Sequence, residues 1–204
     1  MFVVVDCGHS RKTAGKFSPD RTFFEYEWNR ILGRRIGDKL TELGISWCFT
    51  YDTEREDDLS LTERANVANR MSKIYGSKNV ILLSIHHNAL GKGRENEWYS
   101  ANGFSVWTTK GDTISDYYGQ IIWEEAKKVL EPKGRTVMKE RSDGDGDYEK
   151  NFTVIYKTVC PSVLIEYGFY TNEDDMKWCM SEEGLEAHTE LTINAIKRFN
   201  DERK

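Results

Sequence analysis

The chain opens on a short β-branched run, Phe2 to Asp6, that ends at Gly8 and fits a central strand of a parallel sheet. After a polar loop with Gly15, Ser18 and Pro19, apolar residues recur from Glu25 at three- and four-residue spacing: Trp28, Ile31, Leu32, Ile36, Leu40 and Leu43. That spacing predicts an amphipathic helix of about five turns, stopped by Gly44. Ile45 to Tyr51 reads as the second strand. An acidic loop follows, and then Ser60 and Glu63 form an S-x-x-E capping box at the head of a helix whose stripe is Leu61, Ala65, Ala68 and Met71.

The run VILLSIH, from Val80, predicts a third strand, and Phe104–Thr108 a fourth beyond a long polar loop. Thr113 to Leu130 reads as a helix with Ile114, Tyr118, Ile121, Ile122 and Val129 inward. Phe152–Thr158 and Ser162–Phe169 read as two more strands around Cys160-Pro161. The chain closes on a helix from about Ser181 to Phe199, with Leu185, His188, Leu191, Ala195 and Phe199 on one face, so His188 reads as a core histidine. Strands alternating with helices predict one α/β domain over residues 1–204, with a mostly parallel sheet of about six strands flanked by helices. No separate second module is expected.

Composition narrows the function. Hydrophobic residues at 38%, aromatics at 12% and only 3 prolines describe an ordered globular chain. The 29 basic residues are scattered among 34 acidic ones, for a net charge of -5, which argues against a nucleic-acid partner. No stretch is long and apolar enough for a transmembrane helix, and Asp6 interrupts the first apolar run well short of a signal-peptide core. Synthesis in the cytoplasm without a leader is therefore expected. Cys7, Cys48, Cys160 and Cys179 form no C-x-x-C pair and read as free thiols. The acidic stretch Arg141–Lys150 resembles a calcium loop, but counted from Asp143 it has Tyr148 at the sixth position and Val154 at the twelfth, so it reads as a solvated turn.

In a parallel sheet, ligands bind beyond the carboxyl ends of the strands. His9 stands just past the first strand, His86 or His87 at the end of the third, and Glu166 inside a late apolar strand behind Val163, Leu164 and Ile165. Glu25 opens the helix that returns from the loop His9 begins. Two histidines and a carboxylate make a catalytic zinc set that leaves a position for water, and a further glutamate nearby can move protons. Each has a plainer reading: a loop-capping role for His9, an acid favoured by the helix dipole for Glu25, a structural ion pair for Glu166. Strand alternation puts His86 and His87 on opposite faces without saying which faces the metal, and Cys7 is a rival ligand.

Several motifs in one order carry a resemblance over nearly the whole chain: VVVDCGHS, EYEWNR, LTERANVAN with Arg64 and Asn69, SIHHNA, and CPSVLIEYGFYTNEDD. Together they resemble the zinc-dependent type 3 N-acetylmuramoyl-L-alanine amidases of bacterial autolysins and phage endolysins, with GKFSPD and FEYEWNR most like phage-type members. The resemblance implies one Zn2+ held by His9, Glu25 and His86, with Asn29 selecting Glu25 over Glu27, and Glu166 as catalytic acid-base. His87 occupies a position the family usually fills with a small residue, and Cys7 one where it has proline or asparagine. The implied reaction is hydrolysis of the amide between N-acetylmuramic acid and L-alanine of peptidoglycan. Asp6 and Asn88 are expected to orient the ligand histidines, and Asn88, Asn96, Trp98, Tyr99 and Asn102 to line the substrate groove. A monomer that acts on the wall after release, for example by phage-induced lysis, is expected. The rival readings are a zinc peptidase cutting inside the stem peptide and an inactive wall-binding or activator protein.

Overall fold

All six residues of β1 (Phe2–Cys7) are buried, because the strand pairs in parallel with a neighbour on each side and is covered on both faces. The structure, a computed structural model, describes residues 1–91, 95–140 and 144–201. In chain order the remaining elements are α1 (Glu25–Glu42), β2 (Ser46–Phe49), α2 (Leu61–Tyr75), β3 (Val80–Asn88), β4 (Ser105–Thr108), α3 (Ile114–Leu130), β5 (Tyr148–Glu149), α4 (Thr153–Tyr156), β6 (Ser162–Phe169), α5 (Glu173–Met180) and α6 (Glu182–Asp201). They form a single α/β domain whose sheet runs in the order β2-β1-β3-β6-β4-β5. Every pairing is parallel except that of β4 with β6.

The strict alternation of a strand sorts the central residues into two layers. Val3, Val5, Ile81, Leu83, Ile85, Val163 and Ile165 join the larger apolar core with residues of α1, α3, α5 and α6. Val4, Leu82 and Leu164 face the smaller core under α2 and α4. Helix α1 presses closely on β1: a Cβ added at Gly33 would stand 2.5 Å from Cys7 Sγ. The Cys7 thiol therefore points into the layer beneath α1, where burial pushes its pKa up, and it offers no ligand to the site above. All four cysteines are free.

The capping box at Ser60 forms as expected, with Glu63 N–H donating to Ser60 Oγ at 3.3 Å and Ser60 N–H to Glu63 Oε2 at 3.1 Å. Other expectations are corrected. Phe152–Thr158 is not a strand: Thr153–Tyr156 is a single helical turn, whose adjacent Val154 and Ile155 are both buried against the α2 layer. An alternating strand could not bury both on one side. Asn69 fixes the turn to α2, donating to the Lys157 carbonyl at 2.9 Å and accepting from Val159 N–H at 2.8 Å. The sixth strand is instead the two-residue β5. Helix α5 is an element the apolar spacing does not predict, although Asn172 caps it and three acids fill its first turn. Ile31, Leu43, Leu61 and Ile114, expected inward, are exposed. Residues 141–143 of the acidic stretch lie outside the described residues. No described helix is long and apolar enough to cross a membrane.

Candidate metal centre

Three chain segments converge at the carboxyl ends of β1 and β3. His9 follows β1 in the left-handed region, φ 64°, which swings its ring back over the sheet. The strained turn is held from below: the Tyr51 hydroxyl donates to the carbonyls of Cys7 and His9 at 2.8 and 3.0 Å, Arg64 Nη1 to that of Cys7 at 2.7 Å, and Asn29 Nδ2 to that of Gly8 at 3.1 Å. Glu25 begins α1 fully buried. Its Oε1 lies 3.2 Å from His86 Nδ1 and 3.4 Å from His9 Nε2, and accepts the His87 backbone N–H at 2.9 Å.

Strand parity, open in the sequence, is resolved by contacts. The His86 ring leans across Gly8, where an added Cβ would meet it at 2.2 Å. His87 turns the other way, into an aromatic cage with Trp28 at 4.1 Å and Phe23 at 4.9 Å between ring centroids. Neither His87 ring nitrogen has a hydrogen-bond partner, and burial holds its pKa down at about 3. His86 is the histidine that faces the site.

Burial alone would raise the pKa of Glu25, but hydrogen bonds and charge from His86 and His9 outweigh it and hold the carboxyl well below the usual range. The same exchange raises His86, while burial dominates at His9 and lowers it. The donor atoms of His9, Glu25 and His86 all lie within 4.8 Å of one another, the only such cluster among the described residues. Ligand bonds of about 2.0–2.1 Å in a tetrahedron put neighbouring donors about 3.3 Å apart. The observed 3.2 and 3.4 Å fit that spacing, and Glu25 Oε2 is buried without a hydrogen-bond partner. The residues therefore fit a small divalent cation.

Glu166 pairs in register with His86 across the parallel β3–β6 ladder, so the two side chains rise on the same face. It stands outside the three-residue cluster. Burial pushes its pKa up to about 7, the charge of Glu25 adds to this, and His86 opposes it; its Oε2 has no partner.

The expected supporting residues divide. Asp6 does not touch either imidazole: its carboxylate accepts from Thr50, Ser84 and Arg64 at 2.6–2.8 Å, and so acts on His9 only through Arg64. The Asn88 side chain turns back to accept from Ala89 N–H at 2.8 Å, away from both histidines. Asn96 is exposed, with its N–H on the Pro19 carbonyl at 3.1 Å. Trp98 is half-buried against the core, and Tyr99 is pinned to the β6–α5 turn by Thr171 and Asn172. Asn102 donates to the Ser100 carbonyl at 2.9 Å beside a depression that includes Lys139 and Tyr148. Arg64, Tyr51 and Lys16, whose Nζ is 3.9 Å from Glu25 Oε2, are site residues that strand ends do not point to. A signal existed for Arg64, a charged residue beside Ala65 on the buried stripe of α2.

The sequence profile of the N-acetylmuramoyl-L-alanine amidase family (Amidase_3) matches residues 3–198. The N-acetylmuramoyl-L-alanine amidase CwlM of Bacillus licheniformis is 31% identical over 146 residues, 71% of this chain and 48% of that protein. The uncharacterized protein YqiI of Bacillus subtilis (strain 168) is 28% identical over 200 residues, 98% of this chain and 85% of that one. Among solved structures, the N-acetylmuramoyl-L-alanine amidase of Clostridium difficile 630 shares the fold with a TM-score of 0.80 at 23% identity, covering 100% of this chain and 98% of that one. The fold and its site thus define an α/β amidase. The chain belongs to the N-acetylmuramoyl-L-alanine amidase family.

Proposed function

We propose that this protein is a zinc-dependent hydrolase of the amide bond between N-acetylmuramic acid and the L-alanine of peptidoglycan stem peptides, with His9, Glu25 and His86 holding the ion. The observation that carries the reading is the convergence of those three donors within 4.8 Å beside Glu166. Zinc, when bound, supplies Lewis acidity toward the amide carbonyl and acidifies water toward a pKa of about 7.

The protein's own groups do the rest. Glu25 contributes the one negative charge among the three donors, and its second hydrogen bond from His87 N–H fixes the carboxylate's orientation. Glu166, raised to about 7, accepts the proton of the attacking water and returns it to the alanine nitrogen as the C–N bond breaks. Arg64, Tyr51 and Asn29 hold the backbone from which His9 projects. Asn96, Trp98 and Asn102 border the groove for glycan or stem peptide. The likeness of GKFSPD and FEYEWNR to phage-type members supports a role in lysis of the wall, as one domain acting as a monomer. Stripping the protein with a chelator abolishes release of soluble fragments from purified peptidoglycan, and adding Zn2+ restores it; full release by metal-free protein would refute the reading.

A further inference from the structure

A cavity of about 800 Å³ lies at the opposite end of the sheet, where β3 and β6 begin, between the N-terminus of α3 and the end of α4. Its size is that of a ligand pocket. Four of the twelve exposed large hydrophobic side chains among the described residues line it: Ile114 (60%), Tyr117 (43%), Tyr156 (61%) and Val159 (64%). Ile114 sits where the helical stripe expects a core residue, so its exposure there is not explained by the packing of α3. Such grouping, in place of single scattered exposures, marks an interaction site.

The charge of the cavity is the reverse of the chain's. Lys78 and Lys110 line it and no carboxylate does, in a protein with 34 acidic and 29 basic residues. Neither ammonium has an ion-pair partner among the described residues, and Asn151 holds the Lys110 loop through the backbone N–H at 3.0 Å. Hydroxyls complete the wall. The wall therefore offers tyrosine faces for the C–H faces of sugar rings, hydroxyls for their polar edges and two cations for an acid.

The reaction proposed above makes such a ligand. Water's oxygen bonds to the lactyl carbonyl carbon, the C–N bond breaks, the proton goes to the alanine nitrogen, and the lactyl acid ionises. Each processed N-acetylmuramic acid exchanges a neutral amide for a carboxylate. We propose that this cavity is a secondary binding site for the peptide-stripped glycan strand, the enzyme's own product. Holding the stripped strand at one end of the sheet keeps the metal centre at a high effective concentration near amides not yet cut. This rests on the amidase reading for the identity of the ligand.

The test uses the full chain and three probes: peptide-free glycan strands bearing lactyl carboxylates, neutral chitin oligomers of matched length, and a soluble N-acetylmuramoyl peptide for turnover. Wild type is expected to bind the stripped strands more tightly than the chitin oligomers, and more weakly as salt rises. Lys78→Glu/Lys110→Glu and Tyr156→Ala each weaken strand binding about tenfold or more, with unchanged melting temperature and unchanged hydrolysis of the soluble substrate. Strand binding equal to wild type in both variants, or no preference for the charged strand, overturns the proposal. So does a dimer in solution that Ile114→Asp dissociates, which would assign the cavity to a second copy. Pocket-dependent strand binding without hydrolysis of the soluble substrate upholds the glycan site and refutes the amidase reading instead.

Discussion

Arg64 and Asp6 form an ion pair at 2.8 Å with both side chains 1% exposed. Burial alone would raise the Asp6 pKa, but the charge of Arg64 and its three hydrogen-bond donors hold it low. Arg64 also donates to the Cys7 carbonyl, so one side chain joins α2 to the turn that presents His9. Arg64→Met leaves a buried carboxylate unpaired, at a cost of about 3–5 kcal/mol. Combining it with Asp6→Asn restores part of the loss, because the orphaned charge is gone. Urea unfolding of the single and double variants measures both. A loss below about 1 kcal/mol for Arg64→Met would show that the pair holds nothing.

The contact between Gly8 and His86 predicts a separation of folding from metal binding. Gly8→Ala displaces the His86 ring, which lies 2.2 Å from the new Cβ, so the variant folds but binds zinc poorly. His86→Ala loses the metal outright, while His87→Phe keeps it and is as stable as wild type or more so, because the caged imidazole has no hydrogen bonds to lose. Zinc stoichiometry after dialysis ranks the three. An empty His87→Phe protein beside a loaded His86→Ala protein would reverse the assignment.

Much of this was legible in the sequence, and the exceptions are instructive. Strand and helix positions followed from periodicity wherever an element is long, as in β1, α1 and α6. His9, Glu25, Glu166 and the pair His86–His87 stand out from strand ends alone, and the structure brings His9, Glu25 and His86 together. The helical turn at Thr153–Tyr156 is not legible in the sequence, because a β-branched run of four to seven residues fits a strand as well as a buried turn. Asp6 reads as a partner of the histidines only by nearness in sequence, and neighbours in sequence are not neighbours across a sheet: its contacts come from Thr50 just past β2, from α2 and from β3. Which face His86 occupies needs the third dimension.

His188 sits fully buried in α6, facing Trp28, Trp178 and Tyr167, with neither ring nitrogen hydrogen-bonded. Burial holds its pKa well below the ordinary 6.5. Below that pH the unfolded chain takes up a proton that the folded protein refuses, so the stability from neutral His188 is complete above 6.5 and drains as pH falls. Relative to His188→Phe, wild type should lose stability steadily as pH falls below 6.5, on the order of 1 kcal/mol per pH unit while the folded imidazole stays neutral. The difference between the two proteins isolates this group from Glu166, whose raised pKa acts with the opposite sign. Parallel stability curves would contradict a buried neutral histidine.

Glu166→Gln keeps the size and hydrogen-bonding reach of the side chain but removes the proton acceptor. Turnover should fall by about 10² to 10⁴ while zinc content and melting temperature stay at wild-type values. Zinc lost in step with activity would make Glu166 a ligand, and near wild-type hydrolysis would remove it from the reaction.

Zinc amidase activity is defined by which bond is cut and by dependence on the metal. Purified peptidoglycan digested by zinc-loaded and by metal-stripped protein, with fragments identified by mass and new amino termini by labelling, reads both at once. The zinc-loaded digest should yield stem peptides beginning at a free L-alanine amine and intact glycan strands carrying lactyl carboxylates, and the stripped protein should yield neither. New amines inside the stem peptide, or the same products from protein shown to contain no metal, would contradict it.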